Sequence, residues 1–114
     1  MATITEISQA TGFSIHTLRY YEQVGLLSVA RTAGGHRDYT EENRLRLIAI
    51  KHYRNAGISL EQIKTIFQQD DHNAKLVLFH ERKKALQEEL EALQETIRYL
   101  DYKIDYFTNK QLSD

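Results

Sequence analysis

The chain of 114 residues contains no cysteine, no proline and no tryptophan, and only five glycines. Without cysteine there is no disulfide framework, no thiolate metal site and no redox thiol. Without proline the strongest helix breaker is missing, which fits a mostly helical chain. No apolar run approaches the ~18 residues of a membrane span, and the opening MATITEIS has neither the basic nor the apolar region of a secretory signal. A soluble, cytoplasmic protein without membrane partners is expected. Enzyme patterns are missing too: no Ser/His/Asp arrangement, no phosphate-cradling glycine loop and no paired carboxylates in a cleft. No catalytic residue, cofactor or metal is therefore expected. Five histidines are present, but His72 and His80 lie eight apart, and no acid or histidine follows either at the spacing that puts two ligands on one helix face.

The charge is nearly balanced, at −1, but unevenly placed. Residues 1–57 carry seven Lys/Arg against five acids, and residues 58–114 carry eight against eleven. A basic head before an acidic tail is compatible with nucleic-acid binding by the head.

The most informative stretch is residues 13–27, FSIHTLRYYEQVGLL. Ser14 fits a helix N-cap, Phe13 and Leu18 a hydrophobic staple, and Gly25 a left-handed stop. Ile15, Leu18 and Tyr21 or Glu22 fall on the inner face; His16, Thr17, Arg19, Tyr20 and Gln23 fall on the outer one. Before it, Thr3-Ile4-Thr5-Glu6 reads as a capping box opening a helix that Gly12 ends. Two short helices joined by a glycine-containing turn make a helix-turn-helix, or any small helical hairpin. Gly34-Gly35 then signals a hairpin whose flanks carry Arg31, His36, Arg37 and Tyr39, all within reach of phosphates if the hairpin is a wing. His16, Thr17 and Arg19 are candidates for base edges. The candidate DNA-binding set is Ser14, His16, Thr17, Arg19, Tyr20, Arg31, Arg37 and Tyr39.

Thr40 fits the cap of a third helix in which Leu45, Ile48, His52 and Ala56 form one apolar stripe, with Leu47, Ala49, Ile50 and Tyr53 widening the apolar surface and His52 packing or lining a small cavity; Gly57 ends the helix. Ser59–Gln62 is a second capping box, and the fourth helix is expected to reach about Gln69 and bury Leu60, Ile63, Ile66 and Phe67. Asp70 to Asn73 is a polar break. Beyond it Leu76, Phe79, Lys83, Leu86, Leu90, Leu93, Ile97, Leu100, Ile104 and Phe107 alternate spacings of three and four, a heptad seam interrupted at Lys83. A helix over this span is roughly 48 Å long at ~1.5 Å per residue. A seam of that length on so small a head predicts pairing with another chain through Phe79, Leu86, Leu90, Leu93, Ile97, Leu100, Ile104 and Phe107. The expected organisation is a head over 1–72, a coiled-coil helix over 73–108 and a tail over 109–114.

At TLRYYEQVGLL (17–27) followed by GGHRDYT (34–40), the sequence resembles the MerR family of bacterial transcription regulators, and the resemblance extends through RNAGISLEQIKTIF (54–67) to the terminal coil. It implies a mainly α fold with a winged helix-turn-helix head, a second helix pair and an antiparallel coiled-coil homodimer. It also implies a mechanism: the dimer bends and untwists a promoter whose spacer is over-long, so that RNA polymerase engages both elements. On this pattern Thr17, Arg19 and Tyr20 match recognition-helix positions, and Arg37 and Tyr39 match wing phosphate contacts. Metal-sensing members use cysteines that this chain lacks. The branch resembling KHYRNAG (51–57), linked to carbonyl or nitrosative stress, often has cysteine where His52 stands, so thiol-based sensing is excluded. Drug-binding members append a large C-terminal domain not expected here, and the effector stays open. Alternatives are a simple repressor and an architectural, excisionase-type winged-helix DNA binder; the seam beyond residue 76 disfavours the latter.

Overall fold

The structure, a computed structural model, describes residues 2–113. The chain divides into two compact units, Met1–His72 and Asn73–Asp114. Every buried apolar side chain among the described residues lies in the first.

The head begins with α1 (Ile4–Thr11), capped by the Thr3 side chain. The Glu6 N–H donates to Thr3 Oγ1 at 3.2 Å, and the Thr3 N–H donates to Glu6 Oε1 at 3.1 Å, closing the expected capping box. These bonds favour the ionised carboxylate and hold Glu6 below the usual carboxylate range. Gly12, at φ 82°, ends the helix in the left-handed region, and α2 (Ile15–Gln23) starts after the Ser14 cap. Leu18 and Tyr21 turn inward, and the edge of Phe13 meets the Tyr21 ring with centroids 5.5 Å apart. Leu26 and Leu27 follow into the core.

Two strands of two residues, β1 (Ala30–Arg31) and β2 (Arg37–Asp38), pair antiparallel with Ala30 opposite Asp38 and Arg31 opposite Arg37. The turn between them closes through Thr32 and His36, whose N–H and carbonyl are 2.8 Å apart, with Gly35 at φ 82°. So short a ribbon is marginal alone. At its foot Ala2 and Tyr39 exchange two backbone bonds of 3.0 and 2.8 Å, and the Tyr39 ring is driven into the core at 1% exposure.

Next, α3 (Glu41–Asn55) is capped by Thr40, and α4 (Leu60–Gln68) by Ser59. Ser59 and Gln62 form the second capping box, and Ile63 and Ile66 are buried, while Leu60 and Phe67 are half-buried. The stripe expected on α3 is not the one that packs. Asn43, Leu47 and Ile50 are buried, whereas Leu45 is 56% exposed and Ile48 and His52 are exposed as well. His52 is therefore not one of the side chains packed in the core. Period alone gave two overlapping apolar faces; the face anchored by Asn43 wins because it carries hydrogen bonds. Asn43 Oδ1 accepts from the Thr40 N–H at 3.0 Å, and Nδ2 donates to the Ser28 carbonyl at 3.0 Å. One buried amide thus caps α3 and fixes the loop entering the hairpin.

The second unit is α5, which with its first residue spans His72–Ser113, 42 residues. It starts inside the expected polar break and runs on through the expected tail, so no separate tail is seen among the described residues. None of its described side chains is buried. Among the described residues no helix is long and apolar enough to cross a membrane.

Replacing Asn43 by Ala leaves the Thr40 N–H and the Ser28 carbonyl without their partner. A loss of about 1–3 kcal/mol of stability is expected, read as a lower denaturation midpoint with an unchanged slope. Asn43→Asp keeps the acceptor but loses the donor to Ser28, and should fall between Ala and wild type.

Candidate nucleic-acid interface

The outer face of α2 follows from its spacing. His16, Arg19, Tyr20 and Gln23 recur at i, i+3, i+4 and i+7, and all four are exposed. Thr17, half-buried, lies beside them. Ser14 is already engaged: its Oγ accepts from the Thr17 N–H at 3.1 Å and donates to Thr17 Oγ1 at 2.9 Å. Its role in the free protein is to start the helix and hold the Thr17 hydroxyl in place.

The hairpin contributes Arg31 and Arg37, and here the structure adds a residue that sequence reasoning left out of the site. Glu22, in the last turn of α2, takes both arginines. Arg37 Nε donates to Glu22 Oε1 at 2.6 Å, and Arg31 Nη2 donates to Glu22 Oε2 at 3.1 Å. The hydrogen bond to Glu22 raises the Arg37 pKa above its ordinary value. A signal was available: an acid near the C-terminal end of a helix opposes the helix dipole, which there favours cations.

Tyr39 departs from expectation. Its ring is buried, and its hydroxyl is enclosed with no hydrogen-bond partner, so it is not placed to reach a phosphate in this conformation. Its backbone shares the pairing with Ala2, and its side chain is a core residue under the hairpin. Burial pushes the Tyr39 phenol up. Arg37 opposes this more weakly. Across α2 and the hairpin strands, Arg19, Arg31 and Arg37 stand against Glu22 and Asp38. The surface formed by α2 and the hairpin thus has an excess of positive charge, set next to exposed hydrogen-bonding groups. That combination fits a polyanion contacted through both its backbone and its base edges. Among the described residues no group of three or more His, Asp or Glu lies together to hold a metal ion.

Two family models match the chain: the MerR HTH family regulatory protein over residues 2–70, and the MerR DNA-binding model over residues 44–102. The chain belongs to the MerR family. Its head is of the MerR DNA-binding type, a winged helix-turn-helix, and is followed by a long C-terminal helix. A crystal structure of HiNmlR, a MerR family regulator lacking the sensor domain and bound to promoter DNA, superposes with a TM-score of 0.82 at 29% identity, covering 94% of this chain and 86% of that one. The regulator AdhR of Bacillus subtilis is 38% identical over 91 residues, 74% of this chain and 65% of AdhR. The nodulation protein NolA of Bradyrhizobium elkanii is 44% identical over 62 residues, but the match spans only 28% of NolA and 54% of this chain.

Two substitutions separate the roles within this MerR head. Arg19→Ala should weaken binding to a cognate duplex by roughly 1–3 kcal/mol if it reaches a base edge; titration by fluorescence anisotropy would show it, and unchanged affinity would remove Arg19 from the interface. Tyr39→Phe removes only a buried, unpartnered hydroxyl. It should leave binding intact and stability equal or higher, and a loss of affinity in the same titration would restore Tyr39 as a phosphate contact.

Proposed function

We propose that the protein acts as a homodimer that recognises an operator within a promoter of over-long spacer, and that it bends and untwists this DNA so that RNA polymerase engages both promoter elements. The observation that carries the reading is α5. Its 42 residues correspond to roughly 63 Å of helix at ~1.5 Å per residue. Along it Leu86, Leu90, Leu93, Ile97, Leu100, Ile104 and Phe107 are all exposed, Leu93 to 62%. A heptad seam left open on a single chain favours a second helix, and an antiparallel copy supplies one. Phe79 belongs to the same register.

A two-fold dimer presents two copies of α2 to sites about one duplex turn (~34 Å) apart or a multiple of it. His16, Thr17 and Arg19 face the base edges; Tyr20, Arg31 and Arg37 face the backbone, and Ser14 orients the helix that carries them. Few base contacts of this kind leave much of the discrimination to DNA shape and deformability. HiNmlR, similar over most of its length, is described bound to promoter DNA, which supports the same partner here. The protein would act in the cytoplasm, where it meets promoter DNA and, through it, polymerase. No thiol exists in these residues to sense a signal, so any effector works by other chemistry.

Leu93→Asp places a charge in the middle of the seam. Sedimentation should show the wild type as a dimer and the variant as a monomer with weakened operator binding; a persistent dimer would displace the seam from the interface. In a transcription assay in vitro, activation should be confined to promoters with lengthened spacers and vanish when the spacer is cut to ordinary length. Equal repression of both promoters would instead indicate a simple repressor.

A further inference from the structure

Arg31 and Arg37 stand directly opposite each other in the hairpin. Like charges at facing positions destabilise a strand pair, and this pair makes up half of a ribbon with only two residues in each strand. The hairpin cannot hold that arrangement by itself. Glu22 reaches it from a different element, and its side chain is only 19% exposed. Each carboxylate oxygen receives one arginine, Oε1 from Arg37 and Oε2 from Arg31.

A guanidinium has five N–H donors in a rigid fork. The contacts to Glu22 use Nε of Arg37 and Nη2 of Arg31, so most donors of both side chains are left for an incoming phosphate. One guanidinium can bridge a carboxylate on one edge and a phosphate on another. The cost of the arrangement is a negative charge near a polyanion, and an acid near the wrong end of the α2 dipole.

From this geometry we infer that Glu22 is a positioning residue for DNA binding: it clamps the wing to the recognition helix, so that both meet the duplex as one preorganised surface. The inference rests on Arg31 and Arg37 facing the DNA backbone. Its first half, the clamp, can be tested without any DNA. Preorganisation raises affinity by removing the entropy otherwise lost when flexible side chains are ordered on binding. The clamp therefore acts on the fit between two elements, which matters for a specific site and little for random sequence.

The test uses the full chain with Glu22→Gln and Glu22→Asp. Gln keeps the shape but loses the charge and one acceptor; Asp keeps the charge on a stem one methylene shorter, which does not span both arginines. In the free protein, amide hydrogen exchange at residues 32–36 should quicken in both variants. Binding is then measured on a duplex selected by the wild type from a randomised pool, and on random-sequence duplex, over a series of salt concentrations. Both variants should bind the selected duplex about tenfold more weakly. Gln should also bind random duplex as well as or better than wild type, since a repulsive charge is gone, whereas Asp gains nothing there. The inference is overturned if exchange at 32–36 is unchanged in both variants, or if Glu22→Gln binds the selected duplex as tightly as wild type. If Glu22→Gln does not fold, Glu22→Asp alone decides by the same two readouts. Unchanged affinity in Arg31→Ala and Arg37→Ala, with exchange still quickened in the Glu22 variants, would instead fault the placement of the DNA and leave the clamp standing.

Discussion

Helices of eight and nine residues are unstable in water when isolated, because the cost of nucleation is not recovered over so few turns. Three of the four helices of the head are of this length. Each begins with a side-chain oxygen taking an orphan N–H, from Thr3, Ser14 and Ser59, and each commits only one or two residues to full burial. The head is thus a set of short capped segments that hold together only by sharing one core. Tyr39, Leu18, Leu26, Leu47, Ile50, Ile58 and Ile63, all almost fully buried, come from α2, α3, α4 and the segments that connect the elements of the head. The hairpin, too short to fold alone, belongs to that core through the ring at its foot.

The same constraint shapes the polar surface. The Tyr39 ring ties the foot of the hairpin to the core, but neither strand has a buried side chain of its own. The ion pairs of Glu22 link the strands to α2 instead. Exposed ion pairs contribute little, commonly 0–1 kcal/mol, but here one partly buried carboxylate serves two arginines that would otherwise repel each other across the strands. Its value lies in geometry more than in stability. An acid on the helix proposed to face DNA is consistent with the surface once the hairpin arginines it binds are included.

What could be read from the sequence follows from how local each signal is. Caps, glycine stops and the turn at Gly34-Gly35 depend on neighbours three or four residues away, and Thr3, Ser14, Thr40, Ser59, Gly12 and Gly25 all stand where expected. The outer face of α2 was legible for the same reason, since one period sorts Arg19 and Tyr20 from Leu18 and Tyr21. Burial on α3 was not. Leu45 and Ile48 have the composition of a core stripe, and only the position of Ser28, fifteen residues before Asn43, shows that the helix is turned to bury the amide instead. Tyr39 misled because a tyrosine between charged residues at a hairpin looks polar; its partner in the backbone is Ala2, at the far end of the head sequence. Glu22 was missed as a site residue because both its partners lie on a separate element, nine and fifteen positions away.

The contrast between the two units bears on how the protein works. In the head most apolar side chains are buried or half-buried, with Leu45 and Ile48 on α3 left exposed, and the surface around α2 and the hairpin is polar with a small excess of arginine. In α5 the opposite holds, for the leucines and isoleucines of the register stay exposed, while Glu, Gln, Lys and Arg predominate between them. A helix of that kind gains little from its own chain. On the proposed reading it gains its stability from a second copy, so that folding of α5 and dimerisation become one equilibrium, dependent on protein concentration. Such coupling would make two heads available at once, each rigid within itself, and would leave the distance between them to the coil. A small change in the pairing of the two helices would then alter the spacing at which the heads meet DNA while leaving every base contact in place.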